Sequence, residues 1–339
     1  MRRPSVRRLT ALLAAALLLP AVAACGVDED DAGLVIYSGR NEKLVKPLLD
    51  DLEKAVGTTV AVRYGESAEL AAQIQEEGDK TKAGLFFSQD AGALGALSAK
   101  GLLEKLPQAS LDKVDPAFRG SAGDWVGTSG RVRVLAYNPG QVSKVPDTVH
   151  DLVKPEWKGK IGYAPTNASF QAFVTGMRVL EGDDATRAWL KGLKANEPKV
   201  YENNLKVLDA VGKGEVSLGL VNHYYWYEQV AEKGESKVKA KIHFLPGGDP
   251  GALVNAAGVG ILKGSDQAPV AQKAADFLLS EKAQKYFAEE TKEYPLAAGV
   301  TSTVKDLPPL ASLDAPKIDL GKLESLQETL KMLQEAGMV

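Results

Sequence analysis

Beginning at residue 34, short apolar runs alternate with amphipathic segments, and few architectures accommodate that rhythm. Leu34-Val35-Ile36-Tyr37 has the pattern of a strand buried on both faces. Leu44, Leu48, Leu49, Leu52 and Val56 then recur at helical spacing, and Gly57 follows as a stop signal. Pro47 makes this helix either start near that residue or kink in its first turns. Val60 to Tyr64 is the next strand. Ser67 is the expected N-cap of a helix that carries Leu70 and Ile74 on one face and closes at Gly78. Leu85-Phe86-Phe87 forms a third strand, running into an Ala/Leu-rich helix from about Ala91. Strand–helix units in this succession give a largely parallel sheet with helices on both faces.

A second unit follows the strand Val132–Tyr137. Its pieces are a strand Ile161–Ala164, a helix from about Ser169, a strand Glu215–Val221 and a helix near Tyr224. Beyond it come a strand Val259–Leu262, helices over Pro269–Leu279 and Glu281–Glu289, and an amphipathic tail helix over 322–338 with Leu323, Leu326, Leu330 and Leu333. Parallel α/β sheets bind ligands outside the carboxyl ends of their strands, where helix N-termini and turn amides converge. The junctions at 38–42, 88–90, 166–169 and 222–225 are therefore the places to look for a site.

The N-terminus carries an address. Arg2, Arg3, Arg7 and Arg8 precede an apolar run, Leu9 to Leu19, that is too short to span a bilayer, and Val22-Ala23-Ala24-Cys25 resembles a lipobox. Cys25 is the only cysteine, so internal disulfides and thiolate clusters are excluded and the acyl chain has one possible attachment point. The expected boundaries are a signal peptide over 1–24 and a tether over 25–32. Removing the signal peptide takes the formal charge from −3 to −7, which gives the mature chain no electrostatic reason to seek nucleic acid.

Enzyme signatures are missing from the sequence: it holds no Gly-x-Ser-x-Gly elbow, Walker loop, HExxH or CxxC. The histidines, His150, His223 and His243, are scattered and read as surface or supporting residues. Asn222-His223-Tyr224-Tyr225-Trp226-Tyr227 admits two readings. An aromatic cluster at a strand-to-helix junction is ordinarily core or interface. A tyrosine pair at such a junction also suits a hard trivalent cation, whose charge can drive a phenol of pKa about 10 into its phenolate form.

That segment, together with Tyr37-Ser38-Gly39-Arg40-Asn41-Glu42, Glu76 to Lys80, Pro165 to Phe170, Trp157 to Lys160 and Glu293-Tyr294-Pro295, resembles the bacterial ferric-ion-binding proteins, in order from about Gly33 to Val300. The resemblance implies a transferrin-like class II periplasmic-binding-protein fold, in which two α/β lobes with mixed, mostly parallel sheets close on a cleft. Lobe 1 is expected over 33–133 and 255–305, and lobe 2 over 134–254 and 306–339. It further implies Fe(III) as transported ligand, held by Tyr224 and Tyr225 with a synergistic anion, phosphate or carbonate. Asn167, Ala168, Ser169, Asn204 and Asn222 match the anion cradle, and Arg131 or Arg133 the anion's arginine.

The chain departs from the family in the first lobe. Asn41 and Gln89 stand where some members have histidine and glutamate ligands, and neutral amides bind Fe(III) poorly. Both, with Arg40, are therefore expected to line the cleft without ligating, leaving Glu42 and Tyr37 as first-lobe oxygen donors. The implied partners are the permease and ATPase of an ABC importer. The implied state is a monomer on the outer face of the cytoplasmic membrane, anchored through Cys25. The competing readings are a same-fold receptor for a polyamine, phosphonate or Fe(III) chelate, and an enzyme that uses a tyrosine.

Overall fold

The computed structural model describes residues 28–339, so the signal segment and Cys25 lie outside the described residues. The elements in chain order are β1 (Leu34–Ser38), α1 (Glu42–Val56), β2 (Val60–Tyr64), α2 (Ser67–Glu77), β3 (Leu85–Ser88), α3 (Ala91–Ala99), α4 (Gln108–Leu111) and β4 (Trp125–Tyr137). Then come β5 (Ile161–Tyr163), α5 (Ala168–Glu181), α6 (Asp183–Ala195), β6 (Lys199–Val200), α7 (Asn204–Lys213), β7 (Leu218–Asn222), α8 (Tyr224–Lys233) and β8 (Lys241–His243). The last elements are β9 (Val254–Ile261), α9 (Ala268–Leu278), α10 (Glu281–Glu289), β10 (Tyr294–Pro295) and α11 (Leu326–Glu335).

β1 lies between β2 and β3, parallel to both, and every one of its residues is buried, which explains its uninterrupted apolar run. α1 keeps Pro47 inside the helix and buries Val45, Leu48, Leu49, Leu52 and Val56 on one face. Gly57 ends it at φ 75°, a left-handed conformation that glycine adopts freely. Ser67 is the first residue of α2 and not its cap; its hydroxyl instead accepts the backbone N–H of Gln89 at 2.8 Å.

Two antiparallel strands join the halves. β4 pairs with β9 over Trp125–Val132, then with β7 over Arg133–Tyr137. One apolar core, containing Phe86, Phe87, Leu94, Trp125 and Phe287, lies on the β1–β3 side. Beyond the crossing, a second core gathers Phe170, Phe173, Trp189 and Leu220, and a third gathers Val132, Val134, Trp226, Tyr227 and Tyr294. The tail divides between the lobes, a correction to the expectation that all of 306–339 belongs to the second. Leu320 and Leu323 are part of the first core, whereas Met332 and Leu333 of α11 are part of the second. The expected tail helix is correspondingly two pieces, a 3-10 turn at Leu320–Glu324 and α11.

Candidate metal and anion site

Only His223 separates the end of β7 from the start of α8, so Tyr224 and Tyr225 open the helix. Their ring centroids are 4.1 Å apart at an interplanar angle of 32°. Tyr224 is buried and Tyr225 half-buried. Burial, reinforced by Tyr225, raises the Tyr224 phenol well above its ordinary pKa, although nearby Arg131 pulls it down. The hydroxyl therefore keeps its proton until a strongly charged cation displaces it.

Arg131 and Arg133 sit two residues apart on one face of β4, either side of the crossing. Arg131 faces Asn255 of β9, and Arg133 faces Asn222 of β7. Arg131 is occupied: it donates to the Gln89 carbonyl, and its Nη1 lies 3.6 Å from the Glu293 carboxylate. Arg133 is not. It is 2% exposed, yet Nε, Nη1 and Nη2 have no hydrogen-bond partner among the described residues. Its guanidinium carbon lies 5.6 Å from the centre of the Phe173 ring. Burial lowers its pKa to about 10, partly offset by Tyr225 and Tyr224, so it stays charged at neutral pH. A buried, unpaired guanidinium costs several kcal/mol, a cost that a group of opposite charge offsets.

α5 begins with a built cradle. Asn167 is the N-cap, and its Oδ1 accepts the Ser169 backbone N–H at 3.1 Å and the Ser169 hydroxyl at 2.6 Å. Asn204, fully buried at the start of α7, donates from Nδ2 to Asn167 Oδ1 and to Ser169 Oγ, both at 3.0 Å. Ala168 is the first residue of α5, so these side chains converge on the positive end of a 14-residue helix. Phe170 and Phe173, further along α5, fix it in the second core.

Below the tyrosines lies a buried charge cluster. Glu293 accepts two hydrogen bonds from Arg40, at 3.1 and 2.6 Å, and others from the hydroxyls of Ser129 and Thr291. Burial pushes the Glu293 carboxyl up, but Arg40 and Arg131 more than offset it and hold the carboxyl below the ordinary range. Burial, with Glu293 adding to it, raises half-buried Glu228 on α8 to about 7. Among the described residues, no three His, Cys, Asp or Glu side chains cluster as a metal site.

With this geometry in place, the relatives are informative. Residues 80–320 match the family described as bacterial extracellular solute-binding protein. The chain belongs to the bacterial extracellular solute-binding proteins. A similar relative is the Fe(3+)-binding periplasmic protein of Serratia marcescens, 35% identical over 97% of each chain. Another is the major ferric iron-binding protein of Neisseria meningitidis serogroup B, 36% identical over 97% of this chain and 98% of that one. Among solved structures, iron-bound HitA from Pseudomonas aeruginosa superposes with a TM-score of 0.83 at 36% identity, covering 90% of this chain and 99% of that one. These relatives are named for iron binding, and the solved one shares the two-lobed architecture described above.

Within this extracellular solute-binding protein, the first-lobe candidates fare unevenly. Tyr37 is corrected: its hydroxyl donates to the Glu77 carboxylate at 3.1 Å, Arg63 covers its ring at 4.5 Å, and burial pushes its pKa up to about 12. It is buried beside the ion cluster of Arg63, Glu77 and Glu29, and its hydroxyl is engaged by Glu77. Asn41 and Glu42 are exposed at the start of α1, and Asn41 makes no side-chain cap bond. Arg40 is wholly buried in its pairing with Glu293. Gln89 is tied by both backbone groups, and its buried Oε1 has no partner among the described residues. Sequence reasoning assigned no role to Glu293 or Glu228, and gave His223 only a supporting one. The signal for His223 and Glu228 was their place in the contiguous stretch 222–228.

Proposed function

We propose that this protein captures Fe(III) with a synergistic anion and passes it to an ABC importer, tethered to the outer face of the cytoplasmic membrane through Cys25. The supporting observation is the adjacency of two tyrosine rings 4.1 Å apart and a buried arginine with no acceptor among the described residues. Tyr224 and Tyr225 supply two phenolates. Arg133, with Asn222 beside it and the Asn167–Ala168–Ser169–Asn204 cradle, receives the anion. Two phenolates leave a trivalent ion with one positive charge, and Arg133 adds another, so the anion's charge is what makes the buried assembly neutral. Arg131 is held by Gln89 and Glu293 and tunes Tyr224 from behind. Phosphate and carbonate both suit the arrangement. Asn41 and Gln89 do not ligate, Glu42 is the one charged oxygen at its loop, and the anion and solvent fill the rest of the shell.

The test is Fe(III) binding by Tyr224→Phe and Tyr225→Phe, which delete one oxygen each and keep the ring. Each is expected to lose most of its Fe(III) affinity and tyrosinate-to-iron colour while the metal-free melting temperature barely moves. Binding in the parent is expected to collapse when phosphate and bicarbonate are both stripped from the buffer. Iron-binding variants with parental affinity sink the assignment. Stabilisation by a polyamine or phosphonate, with none by Fe(III) and anion, transfers the site to an organic ligand. For the anchor, Cys25→Ala is expected to release the protein from washed membranes, since no other thiol can take the acyl group. Retention of that variant on the membrane rules out the lipobox.

A further inference from the structure

His223 is fully buried and links three parts of the chain. Its Nδ1 accepts the backbone N–H of Val132 on β4 at 3.2 Å, and its own backbone N–H donates to the Val132 carbonyl at 3.0 Å. Since Nδ1 is an acceptor, the ring is neutral and Nε2 carries the hydrogen, which it donates to the Lys292 carbonyl at 3.1 Å. The ring stacks on Tyr294 at 4.9 Å and 30°, and meets the Tyr224 ring edge-on at 6.0 Å and 84°. The segment it grips is itself rigid. Lys292 holds a left-handed backbone, φ 56°, unusual for a residue with a side chain. Glu293 beside it is clamped by Arg40 and Arg131, and Tyr294 pairs with Gly130 of β4.

We propose that His223 is the positioning residue of the tyrosine pair. It fixes the first turn of α8, and with it the Tyr224 and Tyr225 hydroxyls, to the crossing strand β4 and to the 292–294 segment that follows α10. The ring suits this task because an acceptor and a donor sit on opposite edges of one rigid plane. Both nitrogens are already engaged, so His223 is not a ligand. The inference rests on the reading that Tyr224 and Tyr225 hold the metal.

The experiment titrates Fe(III) from a weak chelator, with phosphate present, into His223→Phe, His223→Gln and Tyr224→Phe. His223→Phe keeps a ring and loses both bonds. It is expected to bind Fe(III) at least about tenfold more weakly and to show a displaced tyrosinate-to-iron absorption band. Glutamine offers one acceptor and one donor, so His223→Gln is expected to return both readouts toward the parent. A residue that only fills space lowers the metal-free melting temperature and leaves band and affinity parental; that result in His223→Phe overturns the proposal. If His223→Phe does not fold, His223→Asn replaces it, keeping polarity on an arm too short for both partners, and parental band and affinity there overturn it equally. Tyr224→Phe separates the two ideas: if it too binds like the parent, the site reading has failed, whereas if it alone loses iron, only the role of His223 has.

Discussion

At the scale of single residues, the difference between Arg131 and Arg133 shows how two side chains of one type, two positions apart, acquire separate tasks. Arg131 lies 3.6 Å from the Glu293 carboxylate that Arg40 also holds, while the guanidinium of Arg133 has no hydrogen-bond partner among the described residues. Glu293 is the residue on which this division depends. It is wholly buried between Arg40 and Arg131, and removing one partner of such a cluster leaves uncompensated buried charge, typically costing about 3–5 kcal/mol. Glu293→Gln preserves shape and is expected to lower unfolding free energy by about 3 kcal/mol in a urea titration of the metal-free protein. Asp50→Asn, which breaks the Lys46–Asp50 pair exposed on α1, is expected to change it by less than about 0.5 kcal/mol. Equal effects would mean that the cluster is as well solvated as the surface pair.

At the scale of elements, α3 and the 3-10 turn at Leu320–Glu324 pack backbone to backbone. A Cβ at Gly95 would lie 2.3 Å from the Gly321 carbonyl oxygen. Alanine gains up to about 1 kcal/mol of helix propensity over glycine, but overpacking against an immovable backbone costs about 1–3 kcal/mol. Gly95→Ala is therefore expected to be destabilising, and a raised melting temperature would show that the tail yields. Such contacts explain what the sequence discloses and what it withholds. β1 to α3 are legible because each buries one clear stripe or run. β4 is legible only from Val132, because its first half contains Gly127-Thr128-Ser129-Gly130, all buried. Those residues are small for tertiary reasons: a Cβ at Gly127 would lie 2.7 Å from the Phe118 carbonyl oxygen. α7 is obscured because its buried positions include Asn204 and Ala210. The tyrosine pair is legible because its members are neighbours in the chain. The Arg40–Glu293 clamp, 253 residues apart, leaves no local trace, and Ser67 reads as a cap because its real partner, the Gln89 N–H, lies 22 residues along the chain.

At the scale of the whole molecule, the two lobes meet where ionisable groups are most deeply buried, so the stability of the metal-free protein depends on pH through that seam. His223 has its pKa lowered to about 4, chiefly by burial, against about 6.5 in an unfolded chain. Above pH 6.5 it is neutral in both states and contributes no slope. As pH falls from 6.5 toward 4 only the unfolded chain takes up the proton, so stability is lost, by about 2 kcal/mol at pH 5. Glu228 acts in the opposite sense. Its folded pKa of about 7 exceeds the unfolded value, so the folded state holds the proton more tightly and stability rises as pH falls from 7 toward 4.5. Between pH 7 and 5 the two slopes oppose each other, and the parent is expected to show a shallow dependence. Single substitutions expose each component. His223→Gln leaves Glu228 unopposed, so this variant is expected to gain stability on acidification from pH 7 to 5. Glu228→Gln leaves His223 unopposed and is expected to lose stability over the same interval. Urea unfolding at the two pH values reads both signs directly. If both variants keep the parental slope, these groups are not what couples the seam to protons. If the signs come out reversed, the burial that sets them has been misassigned.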